Sequence, residues 1–122
     1  MCIKNKLYLG DCLDVCDSIP SKSVDLIYLD PPFNSNKNYT QIGTDGEIRH
    51  FKDVWKDGVE TYCPYMFTRV NALKRILKPT GSILFHCDRY AAAYIRVSIL
   101  DPIFGSSNFQ NELIWYYTNA ST

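Results

Sequence analysis

A chain of 122 residues that is 46% apolar, with Tyr 9, Phe 6 and Trp 2, holds enough large side chains for one buried core, which excludes both a disordered tail and a multidomain assembly. Thirteen basic residues cancel thirteen acidic ones, so the basic surplus of a chain that grips a nucleic-acid backbone unaided is missing. The five cysteines (Cys2, Cys12, Cys16, Cys63, Cys87) are an odd set without paired two-residue spacing, and they signal neither a disulfide framework nor a zinc ribbon.

The first residues, Met1-Cys2-Ile3-Lys4-Asn5-Lys6, lack the apolar core of a signal peptide, and no apolar run approaches a membrane span. A reducing, cytoplasmic setting without a membrane is expected. Leu7-Tyr8-Leu9 reads as a short strand ended by Gly10-Asp11, with Asp11 capping a helix over 12–19 that Pro20 stops. Cys12 and Cys16 lie one helical turn apart and Cys87 follows His86; small buried thiols account for them better than a metal site.

The apolar run Val24-Asp25-Leu26-Ile27-Tyr28-Leu29 then stops at Asp30-Pro31-Pro32-Phe33. Branched and aromatic residues without a helical stripe predict a buried parallel strand. Neither proline can donate a ladder hydrogen bond and Pro31 keeps Asp30 out of helical space, so the Asp30 carboxylate is left at the strand's carboxyl end. Open α/β sheets place their ligands there. Asp-Pro-Pro also serves as a plain strand terminator, but here an aromatic ring and the polar run 34–39 follow at once. The combination reads as a preorganised acceptor pair beside a stacking ring.

Residues 34–58 are polar, with Gly43, Gly46, Gly58 and the aromatics Tyr39, Phe51 and Trp55, and are expected to form one long loop, either a surface excursion or a lid. Over 61–77 the apolar positions Tyr62, Met66, Phe67, Val70, Leu73, Ile76 and Leu77 recur at helical spacing, with Arg69, Lys74 and Arg75 off the stripe and Pro64 in the first turn. Lys78-Pro79-Thr80-Gly81 stops that helix, and 82–86 is a second buried strand with His86-Cys87-Asp88 at its mouth. Asp88 caps a further helix with Tyr90, Ala93, Tyr94, Val97 and Leu100 on one face, until Asp101-Pro102 disturbs it. The aromatic segment 108–117 ends strand-like.

With Asp30-Pro31-Pro32-Phe33 at a strand end, LYLGD upstream, LKPTGSILFHCD in the middle and NELIWYY near the end, the chain resembles the amino-terminal part of the permuted (beta) group of DNA amino-methyltransferases, most of all the modification subunits of type III restriction-modification systems. The resemblance runs from Leu7 to Tyr117. It implies an α/β chain: a partial Rossmann-like sheet of an S-adenosylmethionine-dependent methyltransferase, incomplete here, with 1–122 as the catalytic-motif half of the domain. The implied reaction is methylation of the exocyclic amine of adenine in DNA. That amine is a poor nucleophile, because its lone pair is delocalised into the ring, and acceptors must hold both its hydrogens. No cysteine adduct is needed.

Carried across by position, Asp30, Pro31, Pro32 and Phe33 match the catalytic motif, and Asp11 matches an acidic residue that contacts the cofactor's adenine amine, beside Asp30. Phe33, Asn34, Tyr39 and Trp115 are assigned to the target-base pocket, with Tyr117 in the same aromatic segment as Trp115, although core packing explains Trp115 almost equally well. His86 and Asp88 fall where the family's pocket wall lies; helix capping also accounts for Asp88. The family's FxGxG cofactor loop is not found among Gly10, Gly43, Gly46, Gly58, Gly81 and Gly105, and neither is a target-recognition region. A truncated or split enzyme is therefore expected, with double-stranded DNA as substrate and a complementary half-enzyme or a restriction subunit as partner. Two alternatives stay open: a cytosine exocyclic-amine methyltransferase, and an inactive remnant acting as an interaction module.

Overall fold

The computed structural model describes residues 5–33, 37–42, 46–53 and 58–116. Its longest element, helix α2 (Val59–Ile76), organises the core, because its buried stripe Tyr62, Met66, Val70, Leu73 and Ile76 follows the helical period. Helix α1 (Cys12–Asp17) and the parallel strands β1 (Val24–Leu29) and β4 (Leu77–Phe85) pack on the second half of that stripe, through Cys16, Ile27 and Leu77. The first half meets Ala91, Ile95, Ile99 and Ile103 of the last helical run. Arg75 ties down the end of α1, donating to the carbonyls of Cys16 and Ile19. Pro64 is the sixth residue of α2, past the first turn where it was expected, because the helix starts two residues earlier, after Gly58 at φ 61°.

Strand β4 follows α2 without a break. The stop signal Pro79-Thr80-Gly81 falls inside it, where the register jumps from Val24 opposite Leu77 to Leu26 opposite Ser82. From there the pairing is regular up to Leu29 opposite Phe85. The strands were expected to be buried, but among the described residues only one face of the sheet is covered: Ile27, Leu29, Ile83 and Phe85 face the helices, whereas Leu26, Tyr28 and Leu84 are exposed. Alternation along a strand places Tyr28 and Asp30 on the open face, with His86 beside them.

Four other expectations are corrected. The segment read as one long loop contains an antiparallel pair, β2 (Lys37–Ile42) and β3 (Ile48–Asp53), with Tyr39 opposite Phe51 and Ile42 opposite Ile48. Leu7-Tyr8-Leu9 is not a strand, since no described strand pairs with it and Leu7 and Leu9 are fully exposed. For the same reason 111–116 is not a strand, and Trp115 is 78% exposed and so no core residue.

The last helical run, α3 (Ala92–Ile95), a π-helical stretch (Arg96–Leu100) and α4 (Asp101–Phe104), buries the face Ala91, Ile95, Ile99, Ile103. The expected face is open: Tyr90, Tyr94 and Val97 are exposed. In the π stretch the Asp101 N–H reaches back to the Arg96 carbonyl, so the ladder slips by one residue and a spacing of four stays on one line. Pro102 enters the next turn without ending the run.

Candidate active site

The parallel register builds the site. With Leu29 opposite Phe85, the next residues, Asp30 and His86, are neighbours, and the His86 N–H donates to the Leu29 carbonyl at 2.8 Å. His86 Nδ1 lies 3.2 Å from Asp30 Oδ1 and 2.9 Å from the Tyr28 hydroxyl. Phe33, brought back by the two prolines, sits with its ring centroid 5.0 Å from that of His86, tilted by 52°. The Trp115 ring also lies nearly parallel to the imidazole, at 6.4 Å and 16°. Asp30, Phe33 and Trp115 thus converge on one imidazole.

Asp30, Pro31 and Pro32 also wall a cleft of about 360 Å³ whose far side is Asp11, Tyr65, Met66 and Arg69. Asp11 caps α1 as expected, Oδ1 accepting from the Leu13 N–H at 2.9 Å, while Oδ2 accepts from Arg69 at 2.7 Å. The Leu13 hydrogen bond first, and the Arg69 bond after it, hold its carboxyl below the ordinary value of 3.8. Arg69 in turn lies 3.5 Å over the centre of the Tyr65 ring, and its side chain is only 15% exposed. The two carboxylates assigned to the cofactor therefore share one cavity. A depression of about 860 Å³ between α2 and the last helical run, lined by Cys63, Phe67 and Tyr94, is larger but shows no such convergence of charged groups.

Asn34, Tyr117 and the side chain of Tyr39 lie outside the described residues. Asp88 caps the turn that leads into α3, its Oδ1 accepting from the N–H groups of Tyr90 and Ala91, and it is not among the residues that line the cleft of about 360 Å³. Arg69 and Tyr28 were not foreseen as site residues. The signal for Arg69 was its place four residues after Tyr65 off the apolar stripe; for Tyr28 it was the two-residue spacing to Asp30. The thiols of Cys12, Cys16, Cys63 and Cys87 are all pushed up, by burial before any charge, which disfavours a thiolate nucleophile. No described helix is long and apolar enough to cross a membrane.

Residues 24–122 match the family described as DNA methylase. Similar curated proteins include the type II methyltransferase M.BamHI of Bacillus amyloliquefaciens, 35% identical over 66% of this chain and 17% of that protein. The probable type III restriction-modification enzyme HindVI Mod subunit of Haemophilus influenzae is 35% identical over 72% of this chain and 10% of its own length. The DNA adenine methyltransferase YhdJ of Escherichia coli is 36% identical over 61% of this chain and 21% of its own length. The chain thus spans less than a third of M.BamHI and of the type II methyltransferase M.BglII of Bacillus subtilis, at 17% and 29%.

Proposed function

The chain belongs to the DNA methylase family, and from that premise we propose that it is the catalytic-motif half of a Rossmann-like, cytoplasmic DNA methyltransferase that methylates the exocyclic amine of adenine. The observation that carries this reading is the Asp30 carboxylate at the mouth of a parallel strand, held beside His86 and Phe33 and opening on the cleft that also contains Asp11. A relative named as a DNA adenine methyltransferase supports adenine as the base.

S-adenosylmethionine, when bound, supplies a methyl group that its sulfonium makes electrophilic. The cleft's residues fit such a donor: Asp11 is an acceptor for an adenine amine or a ribose hydroxyl, Tyr65 is an aromatic wall, and Asp30 offers a negative charge to a cationic centre. The Asp30 carboxylate and the Pro31 carbonyl accept the two hydrogens of the target amine, which localises its lone pair outward, and Asp30 receives the proton that the methylated nitrogen sheds. Phe33 stacks on the extruded base and Trp115 closes the same side. Duplex DNA is the substrate, and the type III relatives point to a restriction subunit as partner.

In the enzyme that contains this chain, Asp30→Ala removes one charge-stabilising acceptor, and turnover falls by roughly a hundredfold or more. Labelled methyl transfer to duplexes with and without adenine in one strand measures it. Transfer at the wild-type rate by Asp30→Ala, or to cytosine amines alone, counts against the reading.

A further inference from the structure

We propose that His86 is a positioning residue: it holds Asp30 Oδ1 through an Nδ1–H hydrogen bond and so leaves the other carboxylate oxygen aimed at the target amine. The inference rests on the methyl-transfer reading and assigns a role in it to a side chain outside the Asp30-Pro31-Pro32-Phe33 motif.

Asp30 needs such a hold. Its backbone is fixed by the prolines that follow, but its side chain is 56% exposed, and a carboxylate that turns freely in water is a poor preorganised acceptor. Among the described residues, the imidazole is the one potential donor side chain beside it, at 3.2 Å. With the hydrogen on Nδ1, the proposed tautomer, the 3.2 Å contact is a donor–carboxylate pair and the Tyr28 hydroxyl oxygen, 2.9 Å away, is a second acceptor; in the other tautomer the Tyr28 O–H donates to Nδ1 and the carboxylate is not held. The imidazole itself has little freedom. Its backbone N–H is bonded to the Leu29 carbonyl, and the rings of Phe33 and Trp115 lie within 6.4 Å of its own. One side chain therefore sets both the direction of the acceptor and the position of the stacking ring, so the base's amine and its face are registered together.

The test uses the enzyme that contains this chain, with His86→Asn, His86→Leu and each of these combined with Asp30→Asn. Asn places an amide N–H near the position of Nδ1, while Leu fills similar space without a donor. Expected is a fall in kcat of about tenfold to a hundredfold for His86→Leu, with KM for duplex DNA and the calorimetric affinity for S-adenosylmethionine within about twofold, and recovery of most of kcat in His86→Asn. In the Asp30→Asn background the Leu substitution adds little further loss, because the two residues act as one unit.

Additive losses, equal impairment of the Asn and Leu variants, or a defect carried by KM each overturn the positioning role while leaving the methyl-transfer reading intact. If His86→Leu fails to fold, the His86→Asn and Asp30→Asn pair still closes a cycle, and a second loss of kcat from His86→Asn in the Asp30→Asn enzyme overturns the proposal. A wild-type enzyme that binds the donor but transfers no methyl to a DNA amine overturns the reading itself and this inference with it.

Discussion

At the scale of single residues, Asp11 does two things with one carboxylate: Oδ1 caps α1 and Oδ2 pairs with Arg69. Both hold its folded pKa below the ordinary 3.8. A depressed carboxylate contributes stability that is fully present above its unfolded value and is lost as pH falls through the lower folded value. Asp11→Asn keeps a capping oxygen but loses the charge, so the wild type melts higher than the variant near about pH 7 and the gap closes below about pH 3.8. Thermal melts of both proteins across that range check it; a gap that widens in acid contradicts the assignment. Phe33 makes a second residue-scale case. Phe33→Trp keeps a π-face and retains activity, whereas Phe33→Ala weakens base capture by about 1–3 kcal/mol. A duplex with 2-aminopurine at the target reports it, and an equal fluorescence gain for wild type and Phe33→Ala refutes the stacking role. The Asp30 position was legible because prolines act on their neighbours in sequence. The Asp30–His86 pair was not, because it is created by a register between residues 56 positions apart.

Among the elements, Gly81 shows how β4 tolerates its irregular start. A Cβ there would meet Leu77 Cδ1 at 2.7 Å and the Asp25 carbonyl oxygen at 3.0 Å, so the bulged register needs a residue without a side chain. Gly81→Ala is expected to cost about 1–3 kcal/mol, read as a lower denaturant midpoint at unchanged slope. A comparison along the last helical run is sharper. Ile99 is fully buried and Val97 is 66% exposed, so Ile99→Ala costs about 2–5 kcal/mol while Val97→Ala stays within about 0.5 kcal/mol. The reverse order of midpoints would restore the face that helical periodicity favours. That face was misread because Tyr90, Tyr94 and Val97 are the larger apolar side chains, whereas the buried line starts at Ala91 and Ile95 and the π turn carries it on at a spacing of four. By contrast, α2 and both Asp caps were legible, since period and capping are local. Strands were legible only where they found partners: Leu7-Tyr8-Leu9 has a strand composition without a neighbour, and β2 with β3 has neighbours behind a polar composition.

For the whole molecule, the sheet and the charge balance both bear on whether the proposed DNA substrate is gripped by this chain alone. Parallel sheets normally have helices on both faces, yet here Leu26, Tyr28 and Leu84 stand open beside the face that carries Asp30 and His86. Asp30 and His86 therefore sit on a surface that is apolar and hydrogen-bonding rather than basic. Thirteen cationic against thirteen anionic side chains leave no net attraction for phosphates, and several cations are spent internally: Arg69 on Asp11, Lys78 on Asp25, Arg75 on the carbonyls of α1. Duplex affinity rises with the number of phosphates neutralised, and log K falls with log salt at about 0.9 per phosphate contact. The 122-residue chain is thus expected to bind duplex DNA weakly, in the range of about 10⁻⁴ M or weaker at physiological salt, with a shallow slope. Fluorescence anisotropy titrations between about 50 and 200 mM salt measure both quantities. Tight binding with a steep slope would mean that the fold gathers its lysines and arginines into a basic surface, and that the grip on the backbone belongs to the same chain as the chemistry.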